Sequence, residues 1–184
     1  GPGYGGSCFP KDTLALVNTA RDAGSPLKII ETVVDINNKR KIGMADRVIA
    51  ACDGSLKGKT VAILGVTFKP NTDDMRDSPS LDILPVLQKA GASIRAYDPE
   101  GMDEACEMFE DIQWCGDSYE AMQGADVLVI ITEWNAFRGL DFERVKSLLK
   151  NPILVDLRNI YNPDDMAAVG IDYHCLGRPP GNTS

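Results

Sequence analysis

The sequence predicts an α/β protein in which a long connecting helix leads into a parallel sheet covered by helices on both faces. Three observations carry this reading. Between Pro26 and Asp53 the chain has no further proline and one glycine, Gly43, while Ile29, Ile30, Val33, Ile36, Met44, Val48 and Ile49 recur at roughly helical spacing. Beyond residue 58, apolar runs such as "KTVAILGV" and "DVLVIIT" are too short for buried helices and suit buried strands. Helical patterns separate these runs, and strands alternating with helices mean βαβ units and a parallel sheet.

In chain order, "GPGYGGSCFPKD" is a loop that ends where Pro10 takes the first position of a helix through "KDTLALVNTARDA", closed by Gly24. Ser25 and Pro26 then suit the N-cap and first position of the long helix. About 27 residues at 1.5 Å each give ~40 Å, longer than a small domain is wide. Such a helix bridges two bodies or pairs with a copy of itself. The "NNKRK" stretch, Asn37 to Lys41, interrupts its apolar stripe and reads as a solvated face. After Gly54 and Gly58, "KTVAILGV" is the first strand. "DSPSLDILPVLQKAG" is a helix opened by Ser78 and Pro79, closed at Gly91 and kinked at Pro85. "ASIRAYDP" is the second strand, "SYEAMQGA" a short helix, "DVLVIIT" the third strand, "LDFERVKSLLK" a helix and "PILVDLRN" the fourth strand. The tail "GRPPGNTS" is expected to be disordered. Two parts result: residues 1–57, loop and central helix, and residues 58–184, the sheet.

Composition narrows the function. With 43% hydrophobic and 25% charged residues the chain reads as an ordinary soluble protein. No apolar run approaches the ~20 residues of a bilayer span. It starts inside a glycine-rich motif without an initiator methionine, as a piece of something longer would. The net charge of −8 is uneven: residues 1–57 carry eight Lys/Arg and six Asp/Glu, residues 58–184 eleven against twenty-one. An acidic main body argues against nucleic acid or an anionic membrane as partner, so any phosphate must be held by a few placed cations and backbone N–H groups. Five cysteines with no C-x-x-C pair and a single histidine, His174, offer little to zinc, and no metal site is expected. Reduced thiols fit a cytoplasmic protein.

The opening loop satisfies G-x-G-x-x-G with Gly1, Gly3 and Gly6, yet no strand precedes it, so the dinucleotide reading is a false positive. Its cysteine is more informative. Cys8 lies just before the helix start beside Lys11, and both the helix dipole and the cation favour thiolate. Asp12 can polarise a water, and the glycines let the backbone approach a ligand. A structural cysteine in a tight turn is the competing reading. In "GVTFKPNTDDMRDSPS", after the first strand, the glycines of a dinucleotide turn are replaced by a long polar loop. Lys69 and Arg76 there are candidates to hold phosphate at the carboxyl ends of the strands. Asp73, Asp74 and Asp77 suit caps and turns equally well. Asp98, at the end of the second strand, stands where NAD domains place a ribose-binding acid. Arg158, just past the fourth strand, can clamp a charged or sugar ligand or pair with a nearby acid.

Together, "GPGYGGSCFPKD", "LGVTFKPNTDDMRDSPS", "YDP" and "VDLRNIY" resemble the UDP-glucose 6-dehydrogenase family in order and spacing along essentially the whole chain. The resemblance implies a central helix that forms a homodimer and a C-terminal Rossmann-like domain that binds the UDP-sugar. It also implies an N-terminal NAD domain that these residues do not include, so residues 1–184 alone are expected to be inactive. By the same resemblance Cys8 is the nucleophile and Asp12 the acid that helps the hydrolytic water. Lys11 and Arg76 contact NAD, while Gly1, Tyr4, Gly5, Phe68, Lys69 and Arg158 contact UDP-glucose. Two other readings stay open: a dehydrogenase of another sugar nucleotide, GDP-mannose or UDP-N-acetylmannosamine, and a non-catalytic, dimerising UDP-sugar-binding module.

Overall fold

In the computed structural model, which describes residues 1–181, the apolar runs become the strands of a six-stranded sheet. Two helices come first, α1 (Phe9–Asp22) and α2 (Lys28–Ala51). The sheet follows as β1 (Thr60–Leu64), α3 (Ser80–Lys89), β2 (Ser93–Tyr97), α4 (Met102–Met108), β3 (Ile112–Trp114), α5 (Ser118–Met122) and β4 (Val127–Ile130). It ends with α6 (Asn135–Arg138), α7 (Phe142–Leu148), β5 (Ile153–Asp156), α8 (Pro163–Ala168) and β6 (Asp172–Cys175). All neighbouring strands are parallel, in the order β3-β2-β1-β4-β5-β6. The order reverses between β1 and β4, and in open sheets of this kind ligands collect at the carboxyl ends around that point.

Strand side chains alternate between two cores because the strand period is two. Val61, Ile63, Ile94, Val127, Val129 and Val155 pack with Met44, Ala45 and Val48 of α2 and with Ile83, Leu84 and Leu87 of α3. Ala62, Leu64, Leu128, Ile130 and Leu154 face Met122 of α5, Val145 of α7 and Met166 of α8. Covered on both faces, β1 and β4 are almost continuously apolar, which is why they could be read from sequence.

Four strands were expected and six are found. The additional β3 and β6 are edge strands of three and four residues that mix polar and apolar side chains. The start of the long helix also differs: α2 begins at Lys28, after Leu27, without a side-chain cap. The Ser25 amide donates to Ala20 O at 2.9 Å and the Gly24 amide to Arg21 O at 2.9 Å, the Schellman pattern. Ser25 therefore closes α1 and is not available to open α2. Of the tail expected to be disordered, Arg178 Nη1 donates to Tyr161 O at 3.3 Å and Gly181 packs against the Pro163 carbonyl. Its last residues, 182–184, lie outside the described residues. Among the described residues no helix is long and apolar enough to cross a membrane.

Large apolar side chains are left exposed mostly on α1 and α2 and the corner between them: Phe9, Leu14, Leu16, Leu27, Ile29, Val33, Ile36 and Ile42. Ile30 is half-buried, so the exposed stripe of α2 runs through Ile29 (80% exposed), Val33 and Ile36.

Candidate active site

The carboxyl ends of β1, β2 and β4 meet around one buried carboxylate. Asp98, fully buried at the end of β2, accepts through Oδ2 from the amides of Val66 (2.7 Å) and Thr67 (3.2 Å) and from Trp134 Nε1 (3.1 Å). Its Oδ1 accepts from the amides of Glu100 (3.1 Å) and Gly101 (2.9 Å). A carboxylate has about four lone-pair directions, and these donors occupy them. Asp98 therefore fastens three loops together and has nothing to offer a ribose. The ribose role that the chain position of Asp98 suggests is therefore corrected.

The loop between β1 and α3 is fixed by that carboxylate and by its own turn residues. Ser78 and Ser80 both donate to Val66 O, and Asn71 and Asp77 take left-handed backbone conformations. Asp74 caps the turn by accepting from the Arg76 amide at 2.9 Å. It also holds the Arg76 guanidinium through Nε (2.9 Å) and Nη2 (2.7 Å), which keeps the Asp74 carboxyl below the usual carboxylate range. Asp74 and Asp77 thus shape the turn.

The opening loop lies across this turn. Gly6 has φ +83°, and its amide donates to Arg76 O at 2.8 Å. A Cβ at Gly6 would stand 2.7 Å from Phe68 Cε2, and one at Gly5 would overlap the Asp77 carbonyl. Only glycine allows the two backbones to come this close. At the other end of the loop, Gly1 lies against the Arg158 guanidinium, 2.9 Å separating its Cβ direction from Nη1. The Tyr4 ring meets Phe9 edge-on, with centroids 4.5 Å apart.

The "NNKRK" stretch is a solvated face only in its middle: Asn38, Lys39 and Arg40 are exposed, but its two ends are not. Asn37 and Lys41 are 7% and 4% exposed. Asn37 Oδ1 accepts from the Tyr4 amide at 2.8 Å, and its Nδ2 donates to Tyr4 O at 3.2 Å. Lys41 Nζ donates to Asp77 O at 3.0 Å and lies 3.4 Å from Asp82. Arg40 Nε donates to Gly1 O at 2.7 Å. The spacing of Asn37, Arg40 and Lys41, three and four residues apart on one helical face, was the signal that the sequence offered.

Cys8 is exposed at the N-cap position of α1, where its carbonyl accepts from the Asp12 amide at 2.8 Å. The helix starts one residue earlier than expected, with Pro10 in its first turn. Lys11 and Asp12 pair with each other at 3.7 Å on the exposed first turn. Lys69 reaches over the Phe68 ring, 5.3 Å from its centroid. Arg158 donates from Nε to Glu133 Oε2, a partner on the β4–α6 loop that sequence reasoning did not single out. Its amide donates to the buried Asp156 at 2.9 Å. The structure thus brings Gly1, Gly5, Gly6, Phe68, Arg76 and Arg158 together along one seam, with Cys8 at its end. Among the described residues no group of three His, Cys, Asp or Glu side chains could hold a metal ion.

Comparison with known proteins agrees with this geometry. Residues 62–163 match the UDP-binding domain of the UDP-glucose/GDP-mannose dehydrogenase family, and residues 1–39 match its central domain. The chain is 57% identical over 179 residues to a UDP-glucose 6-dehydrogenase of Rhizobium meliloti, covering 97% of this chain and 41% of that protein. It is 44% identical to UDP-glucose 6-dehydrogenase TuaD of Bacillus subtilis, covering 97% and 39%. The crystal structure of an NDP-N-acetyl-D-galactosaminuronic acid dehydrogenase from Methanosarcina mazei superposes with a TM-score of 0.85 at 27% identity, covering 97% of this chain and 39% of that one. The chain therefore spans about two fifths of the length of these relatives. A glycine loop docked on a Rossmann-like sheet at its carboxyl ends, matched in both segments by family models, shows that the chain belongs to the UDP-glucose/GDP-mannose dehydrogenase family.

Proposed function

We propose that these residues form the C-terminal part of an NAD-dependent UDP-glucose 6-dehydrogenase, a cytoplasmic enzyme that oxidises UDP-glucose twice, to UDP-glucuronate. The observation that carries this is the seam itself: one glycine-rich loop leads to an exposed cysteine and packs along Phe68, Arg76 and Arg158. In this reading Phe68, Lys69, Arg158 and the loop through Gly1, Tyr4 and Gly5 hold the UDP-sugar. Cys8 thiolate adds to the aldehyde carbon left by the first oxidation, forming a C–S bond while the C=O π bond breaks, and the oxygen takes a proton from water to become the thiohemiacetal hydroxyl. Loss of a hydride and that hydroxyl's proton gives a thioester. Water, assisted by Asp12, then breaks the C–S bond, releasing the carboxylate and regenerating the thiol. NAD, when bound, accepts the two hydrides. Because Asp98 is fully engaged, NAD is assigned mainly to a segment N-terminal to these residues, with Lys11 and Arg76 reaching it from this side. Residues 1–57 then serve as nucleophile loop and dimer helix and residues 58–184 as UDP-sugar-binding domain, and residues 1–184 alone would be inactive. Product analysis of the full-length protein with NAD and a panel of sugar nucleotides tests the reading. Acid formed from GDP-mannose or UDP-N-acetylmannosamine but not from UDP-glucose would overturn it in favour of a sibling activity, an alternative kept in view by the M. mazei likeness. Binding without any oxidation would favour a non-catalytic module.

In this reading Lys69 and Arg158, whose Nε is held by Glu133, are the cations assigned to a diphosphate in an acidic body. Replacing either with alanine in the full-length protein is expected to weaken UDP-glucose binding by ~1.5–3 kcal/mol, the range for hydrogen bonds to charged groups. Isothermal calorimetry would read this as about tenfold or more in Kd. Wild-type affinity in both variants would place the pocket elsewhere.

The homodimer is assigned to the exposed stripe of α2. Ile29, Val33 and Ile36 left in water would forgo roughly 1.5–3 kcal/mol each. Aspartate at Ile29 and Ile36 is expected to yield monomers or insoluble protein, and an unchanged dimer mass by light scattering would contradict the assignment.

A further inference from the structure

We propose that Asn37 and Lys41 are positioning residues: from α2 they set where Cys8 stands, without touching it. The inference rests on the reading of Cys8 as the nucleophile and extends it to side chains 29 and 33 positions away in sequence. The segment before Cys8 has no helix or strand of its own, and four of its first six residues are glycine. Glycine gains nothing from local preference and loses the most freedom when fixed, so such a loop holds one shape only if something outside it does the holding. The structure shows what that is. The Asn37 amide both accepts from and donates to the backbone of Tyr4, serving that one residue as a neighbouring strand would. One turn later the buried Lys41 ammonium grips Asp77 O, the carbonyl against which Gly5 rests, and is balanced by Asp82 at 3.4 Å. The stem of Lys41 also bounds Gly3, whose Cβ direction ends 2.8 Å from Lys41 Cγ. Asn37 therefore fixes the loop, and Lys41 fixes the wall on which the loop leans. Cys8 follows Tyr4 by four positions, and a shift of about 1 Å in a reacting group can cost about a hundredfold in rate.

The test uses the full-length protein with NAD and UDP-glucose, and the variants Asn37→Leu, Asn37→Asp, Lys41→Met and Lys41→Arg. Hydrogen exchange at the Tyr4 and Gly6 amides is expected to accelerate at least tenfold in Asn37→Leu and Lys41→Met, while the amides of β1 and β4 keep their protection. In the same variants kcat should fall about 10- to 100-fold with KM for UDP-glucose within about threefold. Asn37→Asp, which keeps the acceptor for Tyr4, and Lys41→Arg, which keeps the charge, should recover part of both effects. Wild-type kcat in variants whose loop amides exchange faster would overturn the proposal. So would a kcat loss that scales with lost protection in β1 and β4, the mark of a merely structural role. If Asn37→Leu does not fold, Asn37→Asp decides: wild-type exchange and kcat there overturn the proposal. Cys8→Ala, run alongside, separates the two ideas. Its activity reports on the nucleophile, whereas loop exchange in the Asn37 and Lys41 variants reports on positioning whatever the role of the thiol.

Discussion

Replacing Cys8 with alanine in the full-length protein is expected to end formation of UDP-glucuronate while leaving UDP-glucose binding and thermal stability nearly unchanged. The thiol is exposed, and its hydrogen-bond contact is Ser7 Oγ at 3.8 Å, so alanine removes little packing and leaves no buried group unsatisfied. The chemical loss is of another order. In the proposed mechanism, without a C–S bond the aldehyde has no covalent anchor from which the second hydride can leave, and it can hydrate or escape. Removal of a covalent nucleophile costs roughly 10⁴-fold or more in turnover where it has been dissected. Chromatographic analysis of the products, beside calorimetry of UDP-glucose binding, separates the two terms. A variant that still makes the acid at a near-normal rate would remove Cys8 from the reaction.

The second large effect is on stability. Asp98→Ala is expected to destabilise the protein by at least about 3 kcal/mol, because each buried donor left without an acceptor costs ~1–3 kcal/mol. Five N–H groups, those of Val66, Thr67, Glu100, Gly101 and Trp134, depend on this carboxylate. For a chain of this size such a loss corresponds to a fall in Tm of roughly 6–12 °C. Asp98→Asn should be nearly as harmful, since its NH₂ must face N–H donors on one side or the other. Thermal and urea denaturation would measure both. A loss below about 1 kcal/mol, or a change in NAD affinity with stability intact, would return Asp98 to the ligand-binding role that its position in the chain suggests.

These two residues mark where the sequence can and cannot be read. The placement of Cys8 at a helix start could be read because its signals are local: flanking glycines, a helix start at the next residue, and Lys11 one turn on. Asp98 was located correctly at the end of a strand, but its role stayed open, because the partners on the other loops that occupy it lie 31 to 36 residues away in sequence. The same holds for Asn37 with Tyr4, 33 residues apart, and Lys41 with Asp77, 36 apart. Glu133 escaped notice altogether, since a lone acid after a strand gives no sign that an arginine 25 residues later will close on it.

By itself the sequence determined the two helices, the four inner strands, and the glycine loop with its cysteine. Each rests on hydrophobic period or backbone preference, which a residue shares with neighbours a few positions away. Only the tertiary structure decided the edge strands β3 and β6, the anchoring role of α2 and the engagement of Asp98 and Arg158. An edge strand buries too little to impose a pattern on its own side chains. A buried polar group, for its part, must be satisfied by whatever donor or acceptor the fold brings to it, and that partner is chosen by the packing of distant segments.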